Sequence, residues 1–263
     1  MTGNKFNEFV EIVKRLRKEC PWDREQTNDS IKAATIEEAY EVVEAIEKKN
    51  YDELKSELGD LLLHVVFHTI IASESSNFTI DDVIDGIQSK LIRRHPHVFG
   101  DVKVSGPQEV KKNWEEIKLE EGRNSVLEGV PEMLPALQRA HRLQEKASKV
   151  GFDWEKKEDV WKKVIEEIEE MHQVEEKRLK LKDKSFEDLH NKLEDEVGDV
   201  FFALVNYARF LDVNPENALR RTNSKFIRRF GYVEEKIKAM GKKLSDSNLK
   251  EMDFYWEESK KIV

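Results

Sequence analysis

Cysteine is almost missing: Cys20 stands alone in 263 residues, so no internal disulfide can brace the fold. Glycine (11) and proline (6) are scarce, which removes the punctuation of loop-rich chains and leaves room for long helices. Strand-like alternation is nearly absent as well. No apolar run approaches the roughly 18 residues of a membrane span. The leading MTGNKFNEFVEIVKRLRK lacks the apolar core of a signal peptide, so a cytoplasmic protein is expected. Positive charge is not in excess: the formal net charge is -9. That disfavours general adhesion to nucleic acid or anionic membrane, while a local basic cluster can still grip a phosphate. No GxxxxGK[ST] occurs, which argues against a P-loop ATPase.

What the chain has instead is charge and period. Charged residues make up 38%, and apolar spacings of 3 and 4 predict helices near 4–19, 30–48, 52–74, 80–94, 108–121, 132–147, 156–180, 186–211, 215–240 and 246–261. Thr79 with Asp82 reads as a capping box, and Asn214-Pro215 as an N-cap followed by proline at the first helical position. The pattern is also duplicated. EEAYE (37–41), ELGD (57–60) and KLIRRHP (90–96) recur in order as EEIEE (166–170), EVGD (196–199) and KFIRRFG (225–231). CPWD and GFDWE hold comparable upstream places. The expected architecture is all-α, two duplicated helical-bundle modules, with residues 1–122 as the first, 123–145 as a connecting segment and helix, and 146–263 as the second.

Acidic residues in these motifs fall where apolar ones are expected. Residues three apart share a helix face, so Glu38 and Glu41 project together, as do Glu57 and Asp60 on the following antiparallel helix. Glu38 lies inside the apolar arc of its helix, and the helix carrying Glu57 and Asp60 is apolar almost all round. Carboxylates about 5 Å apart repel by about 3 kcal/mol per pair at an effective dielectric of 20, so protons or cations must neutralise them. Oxygen-only ligands suit Mg²⁺ or Mn²⁺, ions that share their coordination with substrate phosphates. The same holds for Glu167, Glu170, Glu196 and Asp199. Gly59 and Gly198, each between the Glu and the Asp, suggest a close helix approach at the metal.

Basic residues follow each acidic set: Lys90, Arg93 and Arg94 in the first module, Lys225, Arg228 and Arg229 in the second. At i and i+4 they share a face and can meet phosphate oxygens. Only the second module adds Lys163 and Lys192, where the first has Ala34 and Glu53. Two more cations make it the better home for a triphosphate. His64 and His68 do not recur in the second module, where Ala203 and Tyr207 stand. They are therefore read as packed or hydrogen-bonded rather than as ligands of a transition metal.

With EExxE followed by ExxD, CPWDREQT near the start and KLIRRHPHVFG, nearly the whole chain resembles the MazG family of nucleoside triphosphate pyrophosphohydrolases in its tandem form. The resemblance implies an all-α homodimeric bundle that hydrolyses nucleoside triphosphates to monophosphate and pyrophosphate with Mg²⁺. Carried over by position, it makes Glu167, Glu170, Glu196 and Asp199 metal ligands, with Glu38, Glu41, Glu57 and Asp60 as the first-module set. Glu166 orients or deprotonates water, beside Glu167 and Lys192 in the catalytic group. Lys163, Lys192, Lys225 and Arg229 contact phosphate, and Lys90 and Arg94 are the first-module counterparts. Trp256, with Tyr255, and Trp154 are candidates to stack on a base. Members often have histidine where this chain has Asn28. A narrower pyrophosphatase, for one dNTP or phosphoribosyl-ATP, and a non-catalytic helical nucleotide-binding or interaction protein are the competing functions. Nucleotide-pool cleansing is the expected role of the enzyme.

Overall fold

The computed structural model describes residues 2–121, 125–179 and 185–262, and these contain helices and no strand. The chain divides into two units, residues 1–110 and 111–263. In order, the helices are α1 (Thr2–Glu19), α2 (Pro21–Glu25), α3 (Lys32–Lys48), α4 (Tyr51–Glu74), α5 (Ile80–Arg94), α6 (Pro96–Phe99) and α7 (Pro107–Glu120). They continue with α8 (Ala136–Lys149), α9 (Lys157–Leu179), α10 (Ser185–Phe210), α11 (Pro215–Ala239) and, after a 3-10 turn at Leu244–Asp246, α12 (Leu249–Ser259).

In each unit the frame is an antiparallel helix pair. α3 and α4 are joined by a tight turn in which Lys49 is left-handed (φ 55°) and Asn50 caps α4 by accepting from the Glu53 amide. α9 packs along α10, with the rings of Trp161 and Tyr207 5.0 Å apart across the pair. A further helix lies on each pair: α1 against α4, and α8 against α10 and α11. Val10 and Val13 of α1 meet Ile31, Val66, Phe67 and Ile70 in the core of the first unit. Gln144 of α8, 7% exposed, donates from Nε2 to the Phe202 carbonyl at 2.8 Å and so ties α8 to α10. The buried Lys146 ammonium donates to the carbonyls of Val126 and Glu128 at 3.0 and 3.1 Å, holding that turn against α8.

The caps form as the sequence predicts. Thr79 and Asp82 make both bonds of a capping box, and Asn214 accepts from the Asn217 amide ahead of Pro215. Two of the gaps between the predicted helices hold one-turn helices, α2 and α6, each opened by proline at the first position, where its fixed φ suits a helix start. The predicted 132–147 helix begins only at Ala136, because Pro135 is extended (ψ 138°) and restricts the residue before it.

Two expectations are overturned. The helix carrying Glu57 and Asp60 is buried only along its C-terminal half, at Val66, Phe67, Thr69, Ile70 and Ala72. Leu58, Leu62 and Val65 remain 50, 42 and 41% exposed, because α1, α3 and α5 together do not cover a helix apolar on every side. The glycines do not mark a close helix approach either: a Cβ on Gly59 or Gly198 would have no neighbour within 4 Å.

Gly59→Ala is therefore expected to raise stability by about 0.5–1 kcal/mol, the helical cost of glycine relative to alanine, read as a higher midpoint in thermal unfolding. A pH effect comes from Arg17, which is only 13% exposed. It donates from Nε and Nη2 to the Glu74 carboxylate at 2.8 and 2.9 Å and from Nη1 to the Gln26 carbonyl at 2.9 Å. Its hydrogen bonds hold the Glu74 carboxyl below the ordinary range. The stabilisation is thus present above the unfolded carboxylate range and is lost as pH falls through the depressed folded value. Glu74→Gln should lower the unfolding free energy at pH 7, measured by urea denaturation, by at most about 1 kcal/mol, since the Glu74 side is about half exposed, and should match the parent in acid.

Candidate active site

Each acidic set starts from one carboxylate placed on a buried helical stripe. On α9 the stripe runs Val160, Val164, Glu167 and Val174, at 1, 0, 8 and 3% exposure. The corresponding stripe of the first unit has Ile31 and Ala45 buried at 3 and 0%, with half-buried Glu38 midway between them. Glu170 and Glu41 are one turn further on and exposed. Glu196 of α10 and Glu57 of α4 approach from the neighbouring helix. Ligand oxygens of Glu38, Glu41 and Glu57 lie within 4.8 Å of one another, and so do those of Glu167, Glu170 and Glu196. Oxygens bound to one divalent cation at about 2.0–2.6 Å cannot be more than about 5 Å apart, so the spacing of both triads is compatible with such an ion. Asp60 and Asp199 fall outside the triads but follow Glu57 and Glu196 by one turn.

The two triads handle their mutual repulsion differently. In the first, burial and then the charges of Glu41 and Asp60 push the Glu38 and Glu57 carboxyls above the ordinary range. In the second, Lys163 sits inside the site: its ammonium is 2.7 Å from Glu166 Oε1 and 2.7 Å from Glu167 Oε1. Hydrogen bonds to Glu166 and then Glu167 hold the Lys163 ammonium well above its ordinary proton affinity. The built-in cation thus occupies a carboxylate of the triad itself.

Next to the second triad is a cavity of about 720 Å³, whose lining includes Lys163, Glu167 and Asp199 at one end and Phe152, Trp154 and Asn206 elsewhere. Its aromatic wall is set by the end of α8. The Phe152 amide bonds the Ala147 carbonyl at 3.2 Å and the Gly151 amide bonds that of Ser148 at 3.1 Å, a Schellman turn with Gly151 left-handed (φ 86°). The turn delivers Phe152, Asp153 and Trp154 to the cavity. Arg209 of α10 then locks them, pairing bidentately with the Asp153 carboxylate and donating to Asn206 Oδ1 from Nε at 3.1 Å and Nη2 at 2.9 Å.

Not every residue singled out from the sequence meets this cavity. Lys192 is exposed on α10, one turn before Glu196, and Lys225 is exposed on α11. Half-buried Arg229 has its guanidinium 5.9 Å from the centre of the Trp256 ring, and Trp256 packs on Phe226 with centroids 5.2 Å apart. None of these four lines the cavity, whereas Trp154 does. Lys90 is exposed on α5 and Arg94 half-buried in its last turn. His64 and His68 are hydrogen-bonded, as expected: Thr35 Oγ1 lies 2.9 Å from His64 Nδ1 and 2.8 Å from His68 Nε2, and Asn28 Oδ1 lies 2.8 Å from His68 Nδ1. Residues 175–188 form a charge run, EEKRLKLKDKSFED, of which 180–184 lie outside the described residues.

Asp153, Asn206 and Arg209 were not found from the sequence. The available signal was the repeat itself: seven residues after the Asp of ExxD, the first module has Phe67 and the second Asn206. Replacing Arg209 by leucine leaves the Asp153 carboxylate, 26% exposed, without its partner. A loss of about 1.5–3 kcal/mol is expected from the charged hydrogen bonds, measured by denaturant unfolding, together with a change in Trp154 fluorescence as the wall loosens.

Comparison with known proteins identifies the family. The MazG nucleotide pyrophosphohydrolase domain matches twice, at residues 26–99 and 155–233, so each match contains one carboxylate triad. The nucleoside triphosphate pyrophosphohydrolase/pyrophosphatase MazG of Thermotoga maritima is 45% identical over 263 residues, 98% of this chain and 96% of that one. The nucleoside triphosphate pyrophosphohydrolase of Escherichia coli K12 is 42% identical over 265 residues, 98% of each chain. Bacillus subtilis YabN, described as uncharacterized, is 48% identical over 270 residues, which cover 98% of this chain and 52% of YabN. Two matched modules, each built round a carboxylate triad on an antiparallel helix pair, place the chain in the MazG nucleotide pyrophosphohydrolase family, whose members are hydrolases.

Proposed function

We propose that the second module hydrolyses nucleoside triphosphates to nucleoside monophosphate and pyrophosphate, with Mg²⁺, or Mn²⁺ in its place, held by Glu167, Glu170, Glu196 and Asp199. The observation that carries this reading is the cavity of about 720 Å³ that runs from an aromatic wall to Lys163, Glu167 and Asp199. Its size is in the range of small-molecule sites, and its two ends suit a nucleoside and its phosphates. The names of the Thermotoga and Escherichia relatives support the same substrate class. A divalent cation bound there polarises the phosphate and stabilises charge at the leaving pyrophosphate.

The protein's own groups do the rest. Glu167, fixed on the buried stripe of α9, and Asp199, on α10, would hold the cation at the α-phosphate end. Lys163 leaves Glu166 and Glu167 for phosphate oxygens, which frees Glu166 to orient a water molecule and take its proton. Lys192, Lys225 and Arg229 extend the positive field toward the β- and γ-phosphates, and Lys90 and Arg94 play the corresponding part in the first module. Trp256 stays packed beside Arg229. Exposed apolar faces, such as Phe201 and Leu204 of α10 at 56 and 40%, support a homodimer that covers them. The work proposed for the enzyme is control of the nucleotide pool.

The test is product analysis by phosphorus NMR with purified protein. Equimolar monophosphate and pyrophosphate is expected, and nucleoside diphosphate with orthophosphate would overturn the reading. Glu167→Gln or Asp199→Asn is expected to cut kcat/KM by at least about a thousandfold, since each removes negative charge that would hold the cation facing the reacting phosphate. Glu38→Gln should cost less than about tenfold. The reverse pattern moves the chemistry to the first module.

A further inference from the structure

We infer that Asn206 is the base-reading residue of the second module, its side-chain amide donating from Nδ2 to a ring nitrogen or carbonyl oxygen on the edge of the nucleobase. This rests on the nucleoside triphosphate reading of the same cavity and names the part of the substrate that the far end takes.

Placement comes first. Asn206 and Asp199 both line the cavity and stand seven residues apart on α10, two turns along one helix face and about 10 Å along its axis. Phe202 and Ala203 lie between them on the same wall. One helix face thus carries a carboxylate for the phosphate end and an amide beyond an apolar stretch, the order in which a nucleotide presents phosphate, sugar and base edge. Phe152 and Trp154 provide flat apolar surface for the base itself.

Polarity comes next. Arg209 has donors only, and two of them reach Asn206 Oδ1, at 3.1 and 2.9 Å. The amide therefore cannot be turned round: its oxygen is used, and its NH₂ is the end left over. Nδ2 has no hydrogen bond among the described residues. The bidentate pair of Arg209 with Asp153 fixes the guanidinium from the other side, so the amide is held in place before any ligand arrives. A rigid donor facing an apolar cavity rejects a ligand that offers it no acceptor.

The first module is the internal control. Its equivalent position is Phe67, 7% exposed and packed with Val10, Val13 and Ile31. Core fills the place where the second module has a cavity and a donor, so reading of the base belongs to the second module alone.

The experiment compares two triphosphates of the same shape, purine riboside triphosphate, which has ring-nitrogen acceptors, and indole riboside triphosphate, which has none. With the full-length protein, kcat/KM is expected to favour the purine by at least about tenfold. Asn206→Asp keeps an oxygen for Arg209 and turns the donor into an acceptor, and the preference should fall to near parity. A merely structural or electrostatic role for Asn206 would slow both substrates alike and leave the ratio intact, which overturns the inference. So does a parent enzyme that turns over both analogues equally, a result that needs no variant to fold. If the parent hydrolyses neither analogue nor any natural triphosphate, the proposed function itself has failed, an outcome distinct from loss of the preference alone.

Discussion

The structure is organised by a repulsion that it cannot avoid. Glu38 and Glu167 take positions on helical stripes that are otherwise aliphatic, and the neighbouring helix brings further carboxylates to within 4.8 Å. Such a cluster is costly unless positive charge or protons compensate it. Helices are the right frame for it, because the backbone satisfies its own hydrogen bonds and the i, i+3 spacing holds carboxylates on one side at a fixed separation. The cost is also a binding preference: whatever cation enters relieves the repulsion.

The duplicated frame meets the repulsion in two ways. The first module keeps its acids together by raising the proton affinity of Glu38 and Glu57, while its core is closed by Phe67 and α1. The second places Lys163 among its acids and leaves the corresponding core position open as a cavity. A similar division appears in the loops ahead of each helix pair. Arg17 fastens the first to Glu74 and to the loop carbonyls, and Arg209 fastens the second through Asp153. In the second case the same arginine also orients Asn206, so a structural ion pair and a ligand-facing amide share one guanidinium.

Periodicity made the long helices legible, since eleven to twenty-six residues of 3.6 spacing leave a clear trace. The one-turn helices α2 and α6 are too short to carry a period and leave no such trace. The triads were legible for a different reason: acids repeated on an apolar face conflict with burial, and a conflict that occurs twice in register has a function. The cavity was not legible, because Asp153, Asn206 and Arg209 look like ordinary polar residues until folding brings residues 56 apart in sequence into contact. Trp154 and Trp256 were equal candidates by composition, and only the Schellman turn after α8 puts the first of them at the cavity.

By itself the sequence determined the all-helical class, the duplication, the two carboxylate sets and the extra lysines of the second module, all of which depend on local spacing along one or two helices. Tertiary structure decided which module keeps an open cavity, which aromatic residue faces it, and which end of the Asn206 amide is free. Those depend on how α8 and its following turn pack on α10, a matter of long-range contact and hydrogen-bond direction that no helical period encodes.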